Sequence, residues 1–99
     1  MRQIRGVDVA IESPSETAGD PVVTWTTIAT VRSLIQGLTM QERELFAEAD
    51  YRFPIAYRTD VTPRQRLGLV GTLRKFAITS VLDQTGQQKE LMIFARELS

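Results

Sequence analysis

Apolar residues recur at every second position through most of the chain. In "VDVAIES", Val7, Val9 and Ile11 share one face and Asp8, Ala10 and Glu12 share the other, the period of a half-buried strand. "PSETAGDP" gathers Pro14, Gly19 and Pro21 among small polar residues and reads as a loop. From Val22, "VVTWTTIATVRSLI" is rich in β-branched residues and long enough for one bent strand or two short ones, with Trp25 expected to anchor the core or a barrel end. "YRFPIAYR" sets Phe53, Ile55 and Tyr57 on one face, and Pro54, which has no N–H to give a ladder, points to an edge or a bulge. "TDVTPRQ" reads as a turn, and "RLGLV" sends Leu67 and Leu69 inward before Gly71. "FAITSVLD" puts Phe76 and Ile78 on one face against Ala77, Thr79 and Val81. After "QTGQQ", the run Leu91 to Ala95 is apolar at every position. Both faces of that last strand must therefore be covered, by core on one side and by the helix or another chain on the other.

One stretch breaks the alternation. In "LTMQERELFAEAD", Leu38 to Asp50, the spacing of Thr39 and Glu42 is that of a capping box. It predicts a helix running to about Asp50, with Leu45, Phe46 and Ala49 as a short apolar stripe. Three turns at most do not hold alone in water, so the segment needs a surface to lie on. The expected fold is mainly β: a small antiparallel barrel or sandwich of about six to seven strands with one inserted short helix. It forms a single domain over residues 1–99, with 36–52 as the inserted loop and helix arm.

Composition narrows the chemistry. A chain of 99 residues buries about 60 to 70% of its unfolded surface, enough for one modest core. Without cysteine or histidine there is no disulfide framework, no thiol nucleophile, and neither the commonest zinc ligand nor the commonest general base. Glu44 and Glu48, one turn apart on the expected helix, fall short of the roughly six oxygens a hard cation wants. Ser33 and Ser80 have no base in view, and Gly68 and Gly71 lack the phosphate-loop pattern. No enzyme activity, cofactor or metal is expected. No apolar run reaches the roughly 20 residues of a membrane span and the start has no signal-peptide core, so the expectation is a soluble chain made in the cytoplasm with no membrane partner.

Twelve basic residues balance twelve acidic ones, yet the signs are segregated. Residues 52–75 hold six basic side chains against Asp60, a net +5, while 42–50 carry a net −3 and Asp8, Glu12, Glu16 and Asp20 form an acidic N-terminal stretch. One reading is complementary faces of neighbouring subunits; the other is solvated strand faces. Ten of the twelve basic residues are arginine, the cation favoured at interfaces. A nucleic-acid-binding barrel would use Phe53, Tyr57, Phe76 and Phe94 as stacking platforms beside the basic run, but most of these alternate in step with aliphatic residues, as core positions do.

The order of features is similar to that of the tailed-phage head-tail joining proteins, also called head closure proteins or stoppers. The resemblance spans nearly the whole chain and rests on Trp25, Tyr57 with Arg58, the Thr62–Pro63 turn, Gly71, Phe76 with Ile78, and Asp83. The chain departs from the family pattern at Arg32, where an aromatic residue is common, at Ala56, where arginine is common, and ahead of Trp25, where many members have a glycine pair. The resemblance implies a structural virion protein of a tailed phage or a phage-like gene-transfer particle, synthesised in the host cytoplasm. It would form a homo-oligomeric ring at the head-tail connector, with a portal or adaptor protein above, a tail protein below, and DNA passing through without sequence-specific binding. Met40, Glu42, Arg43, Leu45 and Phe46 are the expected assembly contacts, with Arg64, Arg66 and Arg74 as counter-charges. The arm would stay mobile in the monomer and become ordered on assembly; alternatively Leu45 and Phe46 cap an open barrel end of their own subunit. The competing functions are a tail-terminator or tail-completion ring and a small nucleic-acid-binding β-barrel.

Overall fold

A computed structural model describes residues 6–15, 23–83 and 85–98. Seven strands and one short helix follow one another as β1 (Val7–Ser15), β2 (Thr24–Ser33), β3 (Gln36–Gly37), α1 (Met40–Leu45), β4 (Tyr51–Ala56), β5 (Arg66–Leu69), β6 (Lys75–Leu82) and β7 (Glu90–Leu98). Strand β1 continues through Pro14 and Ser15, two residues of the expected polar loop. The rest of that loop, with Glu16 and Asp20, lies outside the described residues.

All the strands join one antiparallel sheet in the order β2-β1-β5-β6-β7-β4-β3. Its two edge strands, β2 and β3, are consecutive in the chain, with only Leu34 and Ile35 between them. The sheet therefore curls until its edges are joined covalently, and β2 packs across β4. The long β-branched segment is thus one bulged strand, β2, and the corner follows it at Leu34 and Ile35. Pro54 sits where an edge residue can: β3 pairs only with Tyr51 and Arg52, so no strand asks for a donor on the outer flank of Pro54.

Inward side chains fill the curl. Val9, Ile11, Phe53, Leu67, Phe76 and Ile93 are at most 1% exposed, and the rings of Phe53 and Phe76 meet edge to face at 5.1 Å. Two bulges alter the strict alternation. Opposite Ile11 and Glu12, β2 carries Ile28 as an extra residue. In β6, Thr79 is the extra residue against Ala95 and Phe94, and its hydroxyl donates to the carbonyl of Phe94 at 3.1 Å. An inserted residue reverses the facing of everything after it. Val81 consequently pairs with Ile93 and packs against the core with Phe76 and Ile78, opposite to the placement expected from simple alternation.

Strand β7 is covered on both faces, as its composition requires. Leu91, Ile93 and Ala95 belong to the main core, while Met92 and Phe94 face the other way and form a second cluster with Leu38, Ala49 and the half-buried Phe46. The stack of Phe46 on Phe94 has ring centroids 3.9 Å apart and planes 13° from parallel. The arm thus supplies the outer cover of the last strand.

The two clusters should respond differently to truncation. Phe76→Ala, at a fully buried core site, should destabilise the fold by about 3 to 5 kcal/mol. Phe46→Ala should cost about 1 to 2 kcal/mol because the ring is partly solvated and the arm can collapse onto the gap. Urea unfolding followed by tryptophan fluorescence measures both; equal losses would contradict two separate clusters.

Candidate assembly surface

The arm is built from local rules. The Thr39 hydroxyl accepts the Glu42 backbone N–H at 3.1 Å, and the Glu42 carboxylate accepts the Thr39 N–H at 2.9 Å, completing the capping box. The helix stops at Leu45, however, well short of Asp50. Phe46 leaves helical geometry with φ −125° and ψ 59°, which lets its ring reach Phe94 while Ala49 turns back to donate to the carbonyl of Phe46. Tertiary burial of one aromatic ring outweighs another turn of marginal helix. Glu44 and Glu48 are both exposed and are not carried on one helix, and no group of metal-ligating side chains occurs among the described residues.

The expected contact residues divide into two sets. Phe46 and Glu42 are turned to their own subunit: Phe46 onto β7, and Glu42 onto Arg52, whose guanidinium donates to it at 2.7 Å and to the Gln36 side-chain oxygen at 2.9 Å. The Thr39 N–H and the Arg52 guanidinium outweigh burial and hold the Glu42 carboxyl below the usual carboxylate range. Met40, Arg43 and Leu45 face solvent, with Met40 83% and Leu45 75% exposed. No residue of the helix is buried. The arm is therefore pinned by its flanks and presents two large apolar side chains outward.

Folding pairs off most of the basic run. Arg52 meets Glu42, Arg58 meets Asp60 at 2.8 Å, Arg74 meets Glu97 at 2.7 Å, and both Arg66 and Lys75 converge on Glu12. Glu12 receives Arg66 Nε at 2.6 Å and Lys75 Nζ at 2.8 Å on the outer face of the sheet. Burial pushes its carboxyl up, but these two donors prevail and leave it below the usual range. Gly68 makes room for them, since a Cβ there would lie 2.8 Å from Lys75 Nζ. Trp25 stacks under Arg66 at 4.2 Å, on this outer face and apart from both clusters, so it anchors the charge group and not the core. Arg66 and Arg74 each have a carboxylate partner in their own chain, and Arg64 is exposed at the Thr62–Pro63 turn. Of the four aromatics weighed as stacking platforms, Phe53, Phe76 and Phe94 are fully buried and Tyr57 is half-buried against the core. The Glu12 group escaped the sequence reading because its members are separated by 54 and 63 positions; only the outward phase of Glu12 in β1 was visible.

Among the described residues, the grooves are open to solvent and bring no nucleophile beside a base. In the one bounded by Arg32, Ser33, Leu34, Pro54 and Glu90, the Ser33 hydroxyl donates to the Leu34 carbonyl at 2.8 Å.

Glu12 links this surface to pH. Its folded pKa lies below the ordinary 4.5, so its stabilisation is complete above that value and is lost as pH falls through the lowered one. Glu12→Gln should cost about 1 to 3 kcal/mol near neutrality, and the difference from wild type should vanish in acid. Urea midpoints across a pH series test this, and a gap independent of pH would refute it.

Comparison with known proteins follows the same lines. No curated protein matches the sequence significantly. Among solved structures, protein SF1141 from Shigella flexneri 2a superposes with a TM-score of 0.72 at 23% identity, over 92% of this chain and 90% of that one. A chain in the virion of a native gene transfer agent particle superposes with a TM-score of 0.57 at 16% identity, over 97% of this chain and 98% of that one. These likenesses establish the fold. Residues 8–98, nearly the whole chain and including every strand but the first residue of β1, match the phage head completion protein family. The chain therefore belongs to the phage head completion protein family, a family of structural virion components without enzymatic activity.

Proposed function

We propose that this protein assembles as a ring at the head-tail connector of a tailed phage or gene-transfer particle, joining a portal or adaptor above to a tail protein below and closing the DNA channel. The family match over residues 8–98 carries this reading. It is supported by the occurrence of the same fold in a gene transfer agent virion and by an arm that displays Met40 and Leu45 with nothing covering them. Met40, Arg43 and Leu45 are the outward contacts, and Glu42 and Phe46 hold the arm in position to make them. Arg64, Arg66 and Arg74 serve as counter-charges only by sharing or exchanging the partners they have in the free chain. A ring around DNA suits a surface whose cations are mostly matched within the subunit, since the duplex must slide past without being held.

Three experiments bear on this. Cryo-electron microscopy of purified particles should show copies of the chain between portal and tail; density for it elsewhere, as in a tail-terminator layer, would displace the reading. Met40→Asp and Leu45→Asp, at exposed sites, should change the stability of the free chain by no more than about 0.5 kcal/mol yet abolish incorporation into particles. Incorporation at wild-type levels would remove the arm from the interface. Titration of DNA should show no tight, steeply salt-dependent binding.

A further inference from the structure

The arm is held to the sheet by very little. Among the described residues, every hydrogen bond made by Leu38 to Ala49 stays within the arm except one, the contact of Glu42 with Arg52. The next ties, from Asp50 to Ala95 and Glu97, belong to the root of β4. The remaining hold is apolar: Leu38, Phe46 and Ala49 against Met92 and Phe94. That cluster is separate from the main core, so the arm can lift without opening the curl of the sheet. The capping box lies wholly inside the arm, so the helix keeps its N-cap when it moves.

Lifting leaves two matched halves: an arm bearing Phe46 and Glu42, and a strand face bearing Met92, Phe94 and the nearby Arg52. Each fits the other, as their contact in one chain demonstrates. We propose that these halves are interchangeable between copies, so that the outer face of β7 is a docking surface whose alternative occupant is the arm of a second copy. The geometry allows it. Gly37 and Tyr51 face one another in the ladder, so the two roots of the arm lie side by side. Thirteen residues running out and back from these roots reach about 20 Å, enough to cross to a touching neighbour. Exchange of an identical element adds no new chemistry to the contact. A reciprocal exchange closes a dimer, whereas passing each arm to the next copy in one direction builds a ring. The inference concerns the isolated chain and does not rest on the proposed location in the particle; either can fail while the other stands.

Complementation tests it. Arg52→Glu spoils the docking face but leaves the arm intact, and Phe46→Ala spoils the arm but leaves the face intact. Each variant alone should be monomeric, with sheet amides protected and arm amides exchanging roughly tenfold faster than in wild type. Mixed, they should form a one-to-one heterodimer in native mass spectrometry, with arm protection recovered in the Arg52→Glu chain only. Should Arg52→Glu fail to fold, Arg52→Gln replaces it in the same mixture. A mixture that stays monomeric with both arms unprotected would overturn the proposal, as would single variants whose arms remain as protected as in wild type.

Discussion

The two-sided burial of β7 is the constraint on which the remainder of this molecule turns. A strand apolar at five successive positions cannot face water on either side. Leu91, Ile93 and Ala95 satisfy one side by closing the core, but Met92 and Phe94 would stand exposed without a cover. The chain supplies that cover from its own arm between β3 and β4. A curled sheet of this size could turn its polypeptide at that corner with a few residues; the longer excursion exists because the last strand requires a lid.

The same constraint explains why so little helix suffices. Isolated helices of this length do not persist, and none of the helical residues is buried. Its start is fixed by reciprocal bonds between Thr39 and Glu42, and its end by the entry of Phe46 into the stack on Phe94. The helix is therefore a spacer between two anchored points. What it spaces outward is Met40 and Leu45, the two large apolar side chains of the arm that face solvent.

Alternation made most strands legible in the sequence, and the doubly apolar run in β7 correctly required a second cover. The capping box likewise marked the helix start. Its end was not legible, because the competing interaction is the Phe46–Phe94 stack between residues far apart in the chain. Val81 was misplaced for a related reason: the bulge at Thr79 leaves no sign in residue polarity. The charge reading was accurate along the chain and incomplete in space. Most of a run of net +5 becomes matched once Glu12 and Glu97 arrive from other strands and Glu42 from the helix. The chain-long resemblance agreed with the family found independently, because it drew on the order of elements and not on any one pair.

The β6–β7 hairpin carries a kinetic implication. Asp83 accepts the backbone amides of Gly86 and Gln88 at 3.1 and 3.0 Å, so the turn ties itself within a few residues. By contrast, β1 must find β5 across more than fifty positions. Because short loops close at less entropic cost than long ones, the β6–β7 and β1–β2 hairpins close ahead of the β1–β5 seam that joins them. A chain still waiting for that seam already has β6 and β7 paired, so the surface that receives the arm matures before the sheet is sealed.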